Sequence, residues 1–205
     1  MALKLHVLNS ARVLDNCLDE VNAVWEKAEA LARSILKLDE VDVVIRHLPN
    51  FTIPELAVGG FTNDDGHSVY ISVDAKKGFL MDSLYTSLLH ELHHAKRFQK
   101  LGWTKNLADD LIAEGLACLF EEEQSGRAPI YSVVNISKDN IVKAQKHLFS
   151  KKYNRSDWFF GSERLRLPRW FGYTYGYQLC KEYSQRTGHE ASGLVDVPTG
   201  KIINK

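Results

Sequence analysis

The chain has 205 residues, long enough to bury a core without disulfides or a structural metal, so any metal it holds is expected to serve chemistry. Lysine plus arginine and aspartate plus glutamate balance at 26 each, which leaves no overall field to draw in nucleic acid or an anionic membrane surface. Three cysteines (Cys17, Cys118 and Cys180), widely spaced and without a CxxC pair, indicate neither a disulfide framework nor a zinc finger and suit a reducing compartment.

The opening MALKLHVLNSARVLDNCLDE breaks its apolar run at His6, Asn9, Arg12 and Asp15, a poor core for a signal peptide. No run approaches the roughly 18 apolar residues of a membrane span. A soluble, cytoplasmic protein without a membrane or nucleic-acid partner is expected. From 19 to 36, Val21, Val24, Trp25, Ala28, Leu31, Ala32 and Ile35 recur at helical spacing, which predicts an amphipathic helix. The β-branched run 41–47, ended by Pro49, predicts a strand. Residues 56–73 read as a β-hairpin turning at Asp64-Asp65-Gly66, with Gly59 and Gly60 inside its first strand. Glycine there marks a bulge or a place where another backbone comes close.

Two long helices follow, 80–99 and about 105–123, with Gly102 placed to cap the first and Thr104 to start the second. A helix over about 139–150 comes next, then an aromatic and basic stretch leading into a last helix that ends near Gly188. The expected class is α+β in a single domain spanning 1–205: an α/β part over about 1–99 and a mainly helical part over about 100–205.

The first long helix carries His90-Glu91-Leu92-His93-His94. At about 100° per residue, His90 and His94 lie only about 40° apart and one turn along, so both rings can reach one ion. Glu91 falls at the edge of that face, where a general base can touch the ion's water without ligating it. The set is an HExxH motif. His93 sits about 100° from His94, which rarely aims two adjacent rings at one ion; a surface or supporting place is expected for it.

A catalytic zinc takes three protein ligands and leaves one position open. Arg97 and Lys100 stand where one class of HExxH enzymes carries glycine and a third histidine, and the only upstream cysteine, Cys17, is distant. A carboxylate remains. Glu114, twenty positions after His94, is set among Leu111, Ile112, Leu116, Leu119 and Phe120, with no lysine or arginine near it in sequence. Burying such a charge is costly unless it is paired or binds a metal. Asp110, one turn earlier, can accept the free N–H of a ligating histidine, and the run Glu121, Glu122, Glu123 is expected to be a solvated helix end.

With HELHH, AEGLACLF and GYTYGY in view, the chain resembles DUF2268, a family of predicted zinc-dependent proteases of gluzincin type, over about 58–203. The resemblance implies a minimal zincin-like fold, a small, mainly antiparallel sheet on the active-site helix, with one Zn2+ per chain held by His90, His94 and Glu114. It implies a peptide or protein substrate and Glu91 as general base. Cys118 stands where thermolysin-like relatives have an aspartate, which leaves Asp110 as the substitute. In that scheme an oxyanion donor is still needed; Tyr173 is the first candidate and Tyr177 the second, since they share a helical face. Substrate adding to the strand at 57–62 would use Gly59 and Gly60 for close approach. A zinc-dependent hydrolase of a non-peptide amide and a non-catalytic peptide-binding protein are the alternatives.

Overall fold

The computed structural model describes residues 3–38 and 40–203. The chain forms two compact units, Met1–Gly102 and Trp103–Lys205.

The first unit is built on a four-stranded sheet in the order β1-β2-β4-β3. Strand β1 (Leu3–Leu8) leads through helix α1 (Leu18–Leu31) to β2 (Val41–His47), and the two strands pair in parallel, Leu3 opposite Val41 and Leu5 opposite Val43. A helical crossover between parallel neighbours is what their geometry requires. The expected hairpin forms from β3 (Val58–Thr62) and β4 (Ser68–Val73), and β4 also pairs in parallel with β2.

Two of the three pairings are therefore parallel, and the expectation of a mainly antiparallel sheet is corrected to a mixed one. The reason lies in β1, whose Leu3, Leu5 and Val7 alternate with Lys4, His6 and Leu8. That period-2 signal is real but short, and it turns the sequential strand β2 into an interior one.

Alternation sets the buried face: Val41, Val43, Ile45, Val69, Ile71 and Val73 are all at most 3 % exposed. Val21, Trp25 and Ala28 of α1 are buried at i, i+4 and i+7, the stripe that a core-facing helix presents. A π-helical turn over Ala32–Leu36 ends α1 at Lys37, whose φ of 52° stops the helix. Helix α2 (Met81–Leu101) packs on β3 and α1 and ends at Gly102 (φ 75°). Its residues from Ser87 to Ala95 are all buried, so the polar side of the wheel faces protein as well.

The second unit is helical: α3 (Leu107–Ser125), α4 (Lys138–His147), α5 (Arg155–Phe159), α6 (Phe171–Thr187) and α7 (Thr199–Ile202). Asn106, not Thr104, caps α3, its side chain accepting from the Asp109 N–H at 3.0 Å. Ser137 and Asn140 form a reciprocal capping box on α4. The centre of the unit is the crossing of α3 and α6, where a Cβ on Gly115 would stand 2.2 Å from the backbone of Gly176, and one on Gly176 would stand 2.0 Å from the Leu111 carbonyl oxygen. Only two glycines permit that approach. Among the described residues no helix is long and apolar enough to cross a membrane.

Candidate metal and catalytic centre

In the first unit, α2 presents His90 and His94 as the one-turn spacing requires: their Nε2 atoms are 3.0 Å apart, with the rings at 78° to each other. Both are buried, at 6 % and 5 % exposed, and the His94 ring stacks on Phe98 at 5.3 Å. Two imidazole nitrogens at 3.0 Å repel unless a proton or a cation lies between their lone pairs. Two nitrogens bound to a tetrahedral zinc at 2.0–2.1 Å would be about 3.3 Å apart, so the pair fits two ligands of one ion with little rearrangement. His93 is fully buried, which corrects its expected surface place and leaves the supporting one.

Glu91, 6 % exposed, lies against strand β3. The Thr62 hydroxyl stands 2.6 Å from Glu91 Oε2 and 3.0 Å from the Glu91 carbonyl oxygen. A Cβ on Gly60 would come within 2.5 Å of both Cγ and Oε1 of Glu91. Gly59 has a different neighbour: its Cβ would meet the Phe51 carbonyl oxygen at 2.3 Å. The backbone that comes close at Gly59 is thus the chain's own turn at Pro49–Phe51, and what comes close at Gly60 is the Glu91 carboxylate.

In the second unit, α3 carries Asp110 and Glu114, 4 % and 6 % exposed. Glu114 does have a basic partner. Arg155, 41 positions on, donates through Nη2 to Glu114 Oε1, and its Nε lies 3.5 Å from Asp110 Oδ2. This corrects the view of Glu114 as a carboxylate whose burial only a metal offsets. The Tyr153 hydroxyl donates to Asp110 Oδ2. Burial raises the Asp110 pKa despite the opposing pull of Arg155. Burial also works against the charge on Arg155, but Glu114, Tyr173 and Asp110 outweigh it and hold that guanidinium above its ordinary range. Arg155 also lies over the Phe159 ring at 4.6 Å.

Tyr173 belongs to this cluster, interacting electrostatically with Arg155 and ringed by Tyr131 and Phe159, each at 5.1 Å. Tyr177 lies elsewhere: its hydroxyl donates to Glu122 Oε2 at 2.6 Å and accepts from Lys181 at 2.6 Å. The acidic run is not a solvated end. Glu121 is 3 % exposed and takes the Tyr131 hydroxyl, Glu122 takes Tyr177 and Lys181, and Glu123 accepts the Ala191 N–H at 3.0 and 3.1 Å.

Thr62, Tyr153 and Arg155 were not among the residues singled out from the sequence. Thr62 had a usable signal, since it shares a strand face with Gly60 at a spacing of two. Arg155 had none, being brought to Glu114 by tertiary packing alone.

Comparison with known proteins returned one family model, described as "Predicted Zn-dependent protease (DUF2268)", matching residues 21–204. Neither the curated proteins nor the solved structures gave a match. The match begins within α1, well before the 58–203 of the motif resemblance, and takes in most of the sheet, the HExxH helix and the whole helical unit described above. The chain belongs to the DUF2268 family of predicted Zn-dependent proteases.

Proposed function

We propose that the protein is a zinc metallopeptidase of gluzincin type, holding one Zn2+ through His90, His94 and Glu114 and cleaving peptide bonds with Glu91 as general base. The observation that carries the reading is the approach of the two buried histidine nitrogens to 3.0 Å with a carboxylate one residue after the first. Glu114 is the third ligand because catalytic zinc takes three and a buried carboxylate in the family's matched region supplies the missing oxygen.

When bound, zinc acts as a Lewis acid, polarising the scissile carbonyl and making a water acidic at neutral pH. Glu91 takes the proton of the attacking water and passes it to the departing amine. Tyr173, beside Arg155, donates a hydrogen bond to the oxyanion. Asp110 orients a histidine ligand, and Arg155 spans Asp110 and Glu114, keeping the two carboxylates in place. Strand β3 is a sheet edge, and a substrate backbone added there would run past Gly60 and Glu91.

The test is metal content by inductively coupled plasma mass spectrometry with peptide-library digestion. About one zinc per chain is expected in the wild type, much less in His94→Ala and Glu114→Ala, and an undiminished zinc content without turnover in Glu91→Gln. A wild type that takes up no zinc on dialysis sinks the reading.

A further inference from the structure

We propose that Thr62 is a positioning residue for the general base, holding one carboxylate oxygen of Glu91 so that the other is presented to the reaction. This rests on the metallopeptidase reading. Its basis is the edge strand β3, which treats the two oxygens of Glu91 differently.

Thr62 is 3 % exposed and its hydroxyl has two acceptors within reach, Glu91 Oε2 at 2.6 Å and the Glu91 carbonyl oxygen at 3.0 Å. A hydroxyl has one proton to give. The shorter contact lies in the range of charge-assisted O–H···O⁻ bonds, so the proton goes to Oε2. Oε1 takes no hydrogen bond from any described residue. It lies instead over Gly60, where any side chain would displace it.

The frame behind this arrangement is stiff. Thr62 and Gly60 sit on one face of β3, opposite Val69 and Ile71 of β4, and threonine is restricted at χ1 by its branched Cβ. The choice of donor matters too. A hydroxyl engages one oxygen and brings no charge, whereas a guanidinium brings a full positive charge. Were the contact there only to compensate burial, a cation would serve better, as Arg155 does for Glu114.

The experiment compares wild type, Thr62→Val, Thr62→Ser, Gly60→Ala and Glu91→Gln. Zinc content, kcat and KM are measured on a peptide substrate. The side-chain carboxyl resonance of Glu91 is followed by 13C NMR in metal-free protein at a single pH, assigned by its loss in Glu91→Gln. Thr62→Val removes the hydroxyl at nearly constant shape. It should lower kcat about 10- to 100-fold, the range a misplaced group costs, with KM and zinc content within about twofold. It should also move the Glu91 resonance. Thr62→Ser should restore both. Gly60→Ala, whose added Cβ meets first the Glu91 side chain at Cγ, Cδ and Oε1 and no backbone among its nearest atoms, should fold and lower kcat similarly.

A Thr62→Val enzyme with wild-type kcat, a serine variant as impaired as the valine one, or an unmoved Glu91 resonance each overturns the role of Thr62 while leaving the metallopeptidase reading intact. Should Thr62→Val not fold, Thr62→Ser and Gly60→Ala decide: full activity in Gly60→Ala overturns the proposal. Full hydrolysis by Glu91→Gln overturns the reading itself and the role of Thr62 with it.

Discussion

The two units handle buried carboxylates in opposite ways. Glu91 in the first is held by a neutral hydroxyl from a neighbouring strand, while Glu114 and Asp110 in the second share a guanidinium, and Asp110 takes a further donor from Tyr153. A single hydroxyl leaves one oxygen available, which suits a group that must gain and lose a proton. A guanidinium adds charge to the hold, which on the proposed function suits Glu114, a ligand that must stay ionised. On the proposed function, the same side-chain chemistry would thus serve two tasks, set by its partners.

The largest expected effect separates those tasks directly. Glu91→Gln should reduce kcat by about 10²- to 10⁴-fold, the usual contribution of a general base, at unchanged zinc content and unchanged stability to urea. Arg155→Ala should do the reverse in kind, destabilising the metal-free protein. It strips the shared cation from two buried acids, but its side chain is 40 % exposed, so the loss is set at about 1–3 kcal/mol rather than that of a fully buried pair. Urea denaturation checks it. Arg155→Lys keeps the charge without the fork and should recover less than half. If Arg155→Ala left stability untouched, the contrast between the units would be empty.

Glycine substitutions sharpen the comparison further. An added Cβ at Gly115 or Gly176 meets backbone at 2.2 or 2.0 Å, whereas the nearest atoms to one at Gly60 belong to the Glu91 side chain, at 2.5 Å. Gly115→Ala should therefore cost about 1–3 kcal/mol or more, because two helix backbones must part, and Gly60→Ala should cost little stability. Thermal melts of the two variants, set side by side with their kcat values, separate a fold-determining glycine from one that makes room for the Glu91 side chain.

What the sequence disclosed follows the same division. The i, i+4 histidines and the adjacent Glu91 were legible because helical periodicity alone places them, and the hairpin and α1 were legible from alternation and apolar spacing. The parallel strand β1 was not, because three alternating residues next to an N-terminus are weak evidence against the competing question of whether that stretch is a leader. Arg155 was invisible for a different reason. Its tie to Glu114 spans 41 positions, and no local rule connects them. Tyr173 and Tyr177 share a helical face, so periodicity could not rank them, and only the separate partners Arg155 and Glu122 tell them apart. The glutamate run was misread because three acids at a helix end look solvated until Tyr131, Lys181 and the Ala191 N–H arrive from later in the chain.

That run supplies the smallest and most specific expected effect, and it again sets the second unit apart. Burial raises the Glu123 pKa to about 7, against the pull of the Ala191 N–H and with help from Glu190 and Glu122. The folded protein therefore holds this proton more tightly than the unfolded chain, whose glutamate titrates near 4.5. Stability from this group is fully present below that lower value and declines as pH rises through 7, since in the interval the native state binds more protons. Partial exposure and solvent screening limit the effect to on the order of 1 kcal/mol, about 2–4 °C in melting temperature for a chain of this size. In Glu123→Gln the amide oxygen still accepts from Ala191 and carries no charge, so the melting temperature should exceed that of the wild type at pH 8 and match it near pH 4. A wild-type profile that Glu123→Gln leaves unchanged would show that this carboxylate is solvated after all, and that the second unit's dense pairing stops short of its acidic end.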